Sequence, residues 1–138
     1  MQKQSSKLQE IVQSPWRILL LDLFGALITA LATWILFSTG WLPTGLPTVS
    51  LKTMAVVAFS FSCFDAACFF LVSDARKPLK IIAILNLLYV GLSIAICWIY
   101  AKDLTLIGMV YFSIEFVLVV SLACWEWKIA NRPPSIRF

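Results

Sequence analysis

Four apolar blocks dominate this chain, at about residues 17–38, 51–73, 79–101 and 104–129, separated only by short polar joints. Each is near the ~20 residues a helix needs to cross a bilayer core of about 30 Å. A chain so patterned has few options, because hydrocarbon offers no partner to an open backbone amide. The expected fold is all-α: one four-helix transmembrane bundle occupying residues 1–138. Composition agrees. Of the 138 residues, 61% are hydrophobic and 13% charged, against roughly half and a quarter in a soluble domain. Mean hydropathy is +0.91.

The first block is too long for a signal-peptide core and lacks a small-x-small cleavage site after it, so it reads as a true span. Ser14-Pro15 suits its start, as a capping serine and a proline at the first helical position. Residues 1–14 are polar. Ser6-Lys7-Leu8-Gln9 fits a capping box, and Leu8, Ile11 and Val12 fit one stripe of a surface helix; a frayed tail fits equally. Residues 39–50 carry Gly40, Pro43, Gly45 and Pro47 and no acid or base, which predicts an irregular loop able to cap the bundle mouth. Residues 73–80 form a tight basic connection. Lys102-Asp103 form a minimal turn, with Asp103 suited to cap the last helix. Asn131, Pro133 and Pro134 stop that helix.

Charge placement predicts orientation. With the N-terminus inside, the inner segments hold nine cations: Lys3, Lys7, Arg17, Arg76, Lys77, Lys80, Lys128, Arg132 and Arg137. The outer segments hold two, Lys52 and Lys102. Both termini are therefore expected in the cytoplasm, and the chain in the cell inner (plasma) membrane. Trp16, Trp125 and Trp127 fall at the inner interface; Trp34, Trp41 and Trp98 fall near the outer one, as an aromatic belt should. The net charge of +4 thus serves topology and contact with the lipid bilayer. It forms no patch of cations and aromatics, so nucleic acid is excluded as a partner.

Absences narrow the chemistry. Histidine is missing, which removes the commonest general base and most zinc and haem ligation. Cys63, Cys68, Cys97 and Cys124 form no Cys-x-x-Cys pair and read as small apolar residues. There is no phosphate loop, nucleophile motif or metal set, and so no implied cofactor or metal.

The informative residues are acids in the wrong solvent. Asp65 lies deep in the second block, where an ionised carboxylate costs roughly 2.5–3.5 kcal/mol. Asp22 and Glu115 also lie within spans, while no span core holds a lysine or arginine. Arg17, five residues from Asp22, is near enough to reach it at the interface. At 1.5 Å per residue, Asp22, Asn86 and Asp65 fall roughly 7–12 Å in from the inner ends, Tyr89 deeper, and Glu115 near the midplane.

Small and polar residues recur at helical spacing: Asp22, Gly25/Ala26, Thr29 and Thr33; Ala55, Ala58, Ser62, Asp65/Ala66 and Ser73; Asn86, Tyr89, Ser93 and Cys97; Gly108, Tyr111 and Glu115, with Leu118 and Leu122 below. These stripes predict a polar interior, or in one case a homodimer face. Ser62 and Ser93 are expected to bond back to their own helices.

The third-span block Ile81-Ile82-Ala83-Ile84-Leu85-Asn86-Leu87-Leu88-Tyr89 resembles one in a group of small bacterial inner-membrane proteins without an assigned activity. So do Leu20-Leu21-Asp22-Leu23-Phe24-Gly25-Ala26-Leu27 and the fourth-span run from Leu104 to Glu115. That resemblance, over most of residues 17–128, implies location and fold alone. Small multidrug exporters share the four spans but place a lone deep Glu in the first. Emopamil-binding-type isomerases share acids in a small bundle but no motif, and DoxX-like proteins share only size and span count.

Three functions fit these residues. One is a carrier or binder for a cation or amphipathic amine, coupled to protons if Asp65 or Glu115 exchanges one. Its site would be Asp65, Glu115, Asn86, Asp22, Tyr89 and Tyr111. A second is a non-catalytic assembly protein whose polar groups are interhelical glue. The third is a membrane enzyme using an acid pair on a lipid or isoprenoid, disfavoured by the missing nucleophile and metal motifs.

Overall fold

The structure, a computed structural model, describes residues 14–132. The surface helix, the capping box, the two stop prolines, and Lys3, Lys7 and Arg137 lie outside that range. Four helices follow in order: α1 (Pro15–Ala32), α2 (Thr48–Leu71), α3 (Arg76–Ile99) and α4 (Leu106–Ala130). There is no strand among the described residues. A π-helical turn, Thr33–Phe37, extends α1. All four segments are long and apolar enough to span a membrane, so the chain is a multi-pass membrane protein.

Each helix buries one face at helical spacing. On α2 the buried residues include Leu51, Met54, Ala55, Ala58, Ser62, Asp65 and Cys68. On α3 they include Leu79, Ile82, Asn86, Tyr89, Ser93 and Cys97. The opposite faces are apolar and exposed, as lipid-facing surfaces are: Phe24, Phe59, Phe70, Leu88 and Val117 among them. Between spans the drive is packing and hydrogen bonding, not water exclusion, since lipid tails are as apolar as leucine. Helices α1 and α2 pack closely as one antiparallel pair and α3 and α4 as another, whereas α1 and α4 touch sparsely. Two apolar clusters mark the ends of the bundle: one around Met54, Phe112 and Phe37, the other around Leu19, Leu79 and Ile129.

The helix ends differ from expectation in three places. Ser14 stands at the N-cap of α1 and Pro15 follows it, but the serine side chain makes no cap hydrogen bond. The cap of α4 is Thr105, not Asp103: its hydroxyl accepts from the Gly108 amide at 3.1 Å. Asp103 instead lies in the preceding turn, where its amide donates to the Tyr100 carbonyl. Helix α3 starts at Arg76, so the basic residues 76–80 belong to its first turns, and Ser73 is exposed in the short joint before it.

The glycine- and proline-rich loop does cap one end of the bundle. Thr44 and Leu46 are buried. The Thr105 amide donates to the Thr44 carbonyl at 2.9 Å, and the Thr105 hydroxyl to the Pro43 carbonyl at 2.6 Å. Gly45 (φ +88°) lies so close to the α3–α4 turn that a Cβ there would be 1.9 Å from the Asp103 carbonyl oxygen. A Cβ on Gly108 would lie 2.3 Å from the Thr44 oxygen. One loop therefore straps the first helix pair to the second.

Candidate functional site

All four helices deliver polar side chains to the interior. From α3, the Asn86 amide nitrogen donates to Asp22 Oδ1 on α1 at 3.0 Å and to Glu126 Oε2 on α4 at 3.2 Å. Both of its N–H groups are thereby used. Asp22 also lies against the Asp65 carboxyl of α2. Asp65 is 1% exposed, and among the described residues no amide or hydroxyl donates to either of its oxygens. Glu126 is fully buried, with Oε1 likewise without a donor. A hydrogen bond between two carboxyls exists only where one carries a proton.

A second polar group centres on Glu115. The Tyr89 hydroxyl donates to Glu115 Oε1 at 3.1 Å, and Tyr111 adjoins the same carboxyl. Tyr111 is held in turn by the Thr33 hydroxyl, 3.1 Å away, and by the Phe37 ring, whose centroid is 4.4 Å from its own. Thr33 and Phe37 bound the π-helical turn, closed by the Ser38 amide on the Thr33 carbonyl at 3.0 Å. Such widened turns recur at functional sites. Here the turn sets two contacts on one tyrosine.

The two groups share the wall of a cavity of about 400 Å³. Its back is formed by Ala58, Phe61, Asn86 and Tyr89 from α2 and α3. Its sides are α1 and α4, and the rim residues Ile28, Ile114 and Leu118 are 66%, 56% and 64% exposed. The opening thus faces sideways, between α1 and α4, toward the bilayer. Small residues create the space: Gly25, Ala26, Thr29 and Ala32 line it on α1.

Five of the six residues singled out from the sequence line this cavity: Asp22, Asn86, Tyr89, Tyr111 and Glu115. Asp65 does not; it stands behind Asp22. The pairing of Asp22 with Arg17 is corrected. Five residues at 100° each leave the two side chains about 140° apart, and Arg17 is exposed while Asp22 is buried against Asn86. Ser62 is corrected too: its hydroxyl reaches the Leu23 carbonyl of α1 at 3.2 Å and so ties two helices. Ser93 is corrected likewise, since its buried hydroxyl makes no bond back to α3; Ser60 and Ser121 do bond back, to Val56 and Val117. Of the cysteines, Cys68 and Cys97 are buried, while Cys63 and Cys124 are exposed.

The residue missed was Glu126. Its place between Trp125 and Trp127 reads as the interfacial end of the span. The signal that finds it is spacing: eleven positions after Glu115 is about three helical turns, which puts both acids on one face of α4.

No family model, curated protein or solved structure matches the chain. The geometry offers an apolar chamber with carboxyls and two phenol hydroxyls on its wall. Among the described residues, no group of three or more His, Cys, Asp or Glu is placed to hold a metal ion.

Proposed function

We propose that this protein binds an amphipathic organic cation within the bilayer, as a small carrier or receptor in a plasma membrane with both termini cytoplasmic. The observation that carries this is the lateral cavity with Glu115 and Asp22 on its wall. The apolar lining suits a hydrocarbon tail. The carboxyls suit a positive headgroup, and a cation repays part of the cost of holding an acid at that depth. One oxygen of each acid, Asp22 Oδ2 and Glu115 Oε2, is buried without a donor among the described residues, which favours a positive charge nearby. The side opening suits a ligand already dissolved in lipid. Tyr89 and Tyr111 orient Glu115, and their ring faces favour a cation by its attraction to the aromatic quadrupole. The cavity weighs against the glue reading, which calls for a solidly packed interior.

The test uses the full chain in lipid nanodiscs, with hexyltrimethylammonium as the probe and hexylsulfonate as its anionic counterpart. The cation is expected to bind saturably and the anion not. Glu115→Gln is expected to weaken cation binding at least tenfold, with helical content unchanged. Equal uptake of both probes, or equal cation affinity in the variant, would remove the proposal.

A further inference from the structure

Asp65 and Glu126 stand behind the cavity wall rather than on it, while Asp22 belongs to both places. Groups from all four helices face this cluster. Helix α1 brings Asp22, α2 brings Asp65 with Cys68 beside it, α3 brings Asn86, and α4 brings Glu126. Arg17, Lys80 and Lys128, the basic residues of the neighbouring turns, are exposed.

The donors fall short of the acceptors. Asn86 supplies two N–H groups, both spent. Asp22 Oδ2, Glu126 Oε1 and both Asp65 oxygens remain, all buried and none with a donor among the described residues. Three bare carboxylates packed together in apolar surroundings would repel one another with little screening. Among the described residues, no three such side chains are placed to hold a metal ion. A proton needs only two oxygens in contact, and Asp22 touches both Asp65 and Glu126.

We propose that Asp22, Asp65 and Glu126, held in register by Asn86, form a proton-binding site that loses a proton when a cation fills the adjoining cavity. The coupling rests on the cation-binding reading above. Its carrier is Asp22, which faces both sites. As the cation arrives, a carboxylic O–H breaks, its electron pair stays on the carboxylate, and the proton passes to water. One positive charge enters as another leaves, so the interior keeps its balance. By reciprocity, protons weaken cation binding by the same factor that the cation weakens proton binding.

Two measurements on the full chain in nanodiscs test this. The first, without any probe, is the infrared absorption of protonated carboxyl groups near neutral pH. It is expected in the wild type and reduced in Asp65→Asn and in Glu126→Gln. The second is proton release on adding hexyltrimethylammonium, whose own charge does not titrate. About one proton per bound cation is expected, with affinity rising about tenfold per pH unit while the site is protonated. Both variants should flatten that slope. Absence of the infrared band in the wild type overturns the proton site, whether or not either variant folds. Cation binding without proton release at any pH overturns the coupling. A band lost in the variants, in a protein that binds no cation, sustains the proton site and sinks only the cation reading.

Discussion

Tyr89 and Asn86 are one turn apart on α3, yet they serve different carboxyls, Glu115 and Glu126. Removing the Tyr89 donor measures how much its tie to Glu115 holds the bundle together. Tyr89→Phe keeps the ring and its edge contact with Phe61, whose centroid is 6.2 Å away, and deletes the hydroxyl that donates to Glu115 and adjoins Ser93. Interhelical hydrogen bonds in natural bundles average about 0.6 kcal/mol and reach about 1.7. The expected loss in unfolding free energy, read by denaturation in mixed micelles, lies in that range. A loss well above it would show that the bond organises the core and is not a minor tie. The same residues show what was legible in advance. Asp22, Asn86, Tyr89, Tyr111 and Glu115 stood out because a polar group in an apolar run is costly and must turn inward. Their partners were less visible. Which acid meets which amide depends on helix rotation and stagger, and a stripe of small residues leaves both open.

At the scale of elements, burial on α1 lapses between Asp22 and Ala30, and on α4 between Glu115 and Ala123. The cavity lies against those two gaps. The four spans were readable from hydropathy alone, and the loop's capping role from its lack of charge. The strap was not, because it depends on two close approaches of backbone to backbone. Its glycines make a graded prediction. Gly40 has φ +83° and open space around it, so Gly40→Ala should cost only the left-handed strain, about 1–2 kcal/mol. Gly45→Ala adds a collision with the Asp103 carbonyl, and Gly108→Ala, with no such φ, collides with the Thr44 carbonyl. Thermal unfolding of the three variants should rank Gly45→Ala as the most damaging. Equal loss at Gly40 and Gly45 would mean that the loop does not hold the two helix pairs together.

For the whole molecule, the sparse contact between α1 and α4 is what lets a small bundle have a side entrance. With both termini cytoplasmic, as proposed, Ser73 and Lys102 lie on opposite sides of the bilayer, and both are exposed in short joints. Ser73→Cys should react with a membrane-impermeant thiol reagent only after cells are opened. Lys102→Cys should react in intact cells. The reverse pattern would invert the bundle and put the proton site nearer the outer face. Access can be tested separately from chemistry. Ala26 lines the cavity on α1, and Ala26→Trp would place a large ring in its roughly 400 Å³ while every carboxyl is kept. Hexyltrimethylammonium affinity should fall at least tenfold, while the infrared band of the protonated carboxyls stays. If blocking the chamber leaves binding intact, the cation lies elsewhere on the protein. If it abolishes the band as well, the chamber and the carboxyl cluster behind it are one site rather than two.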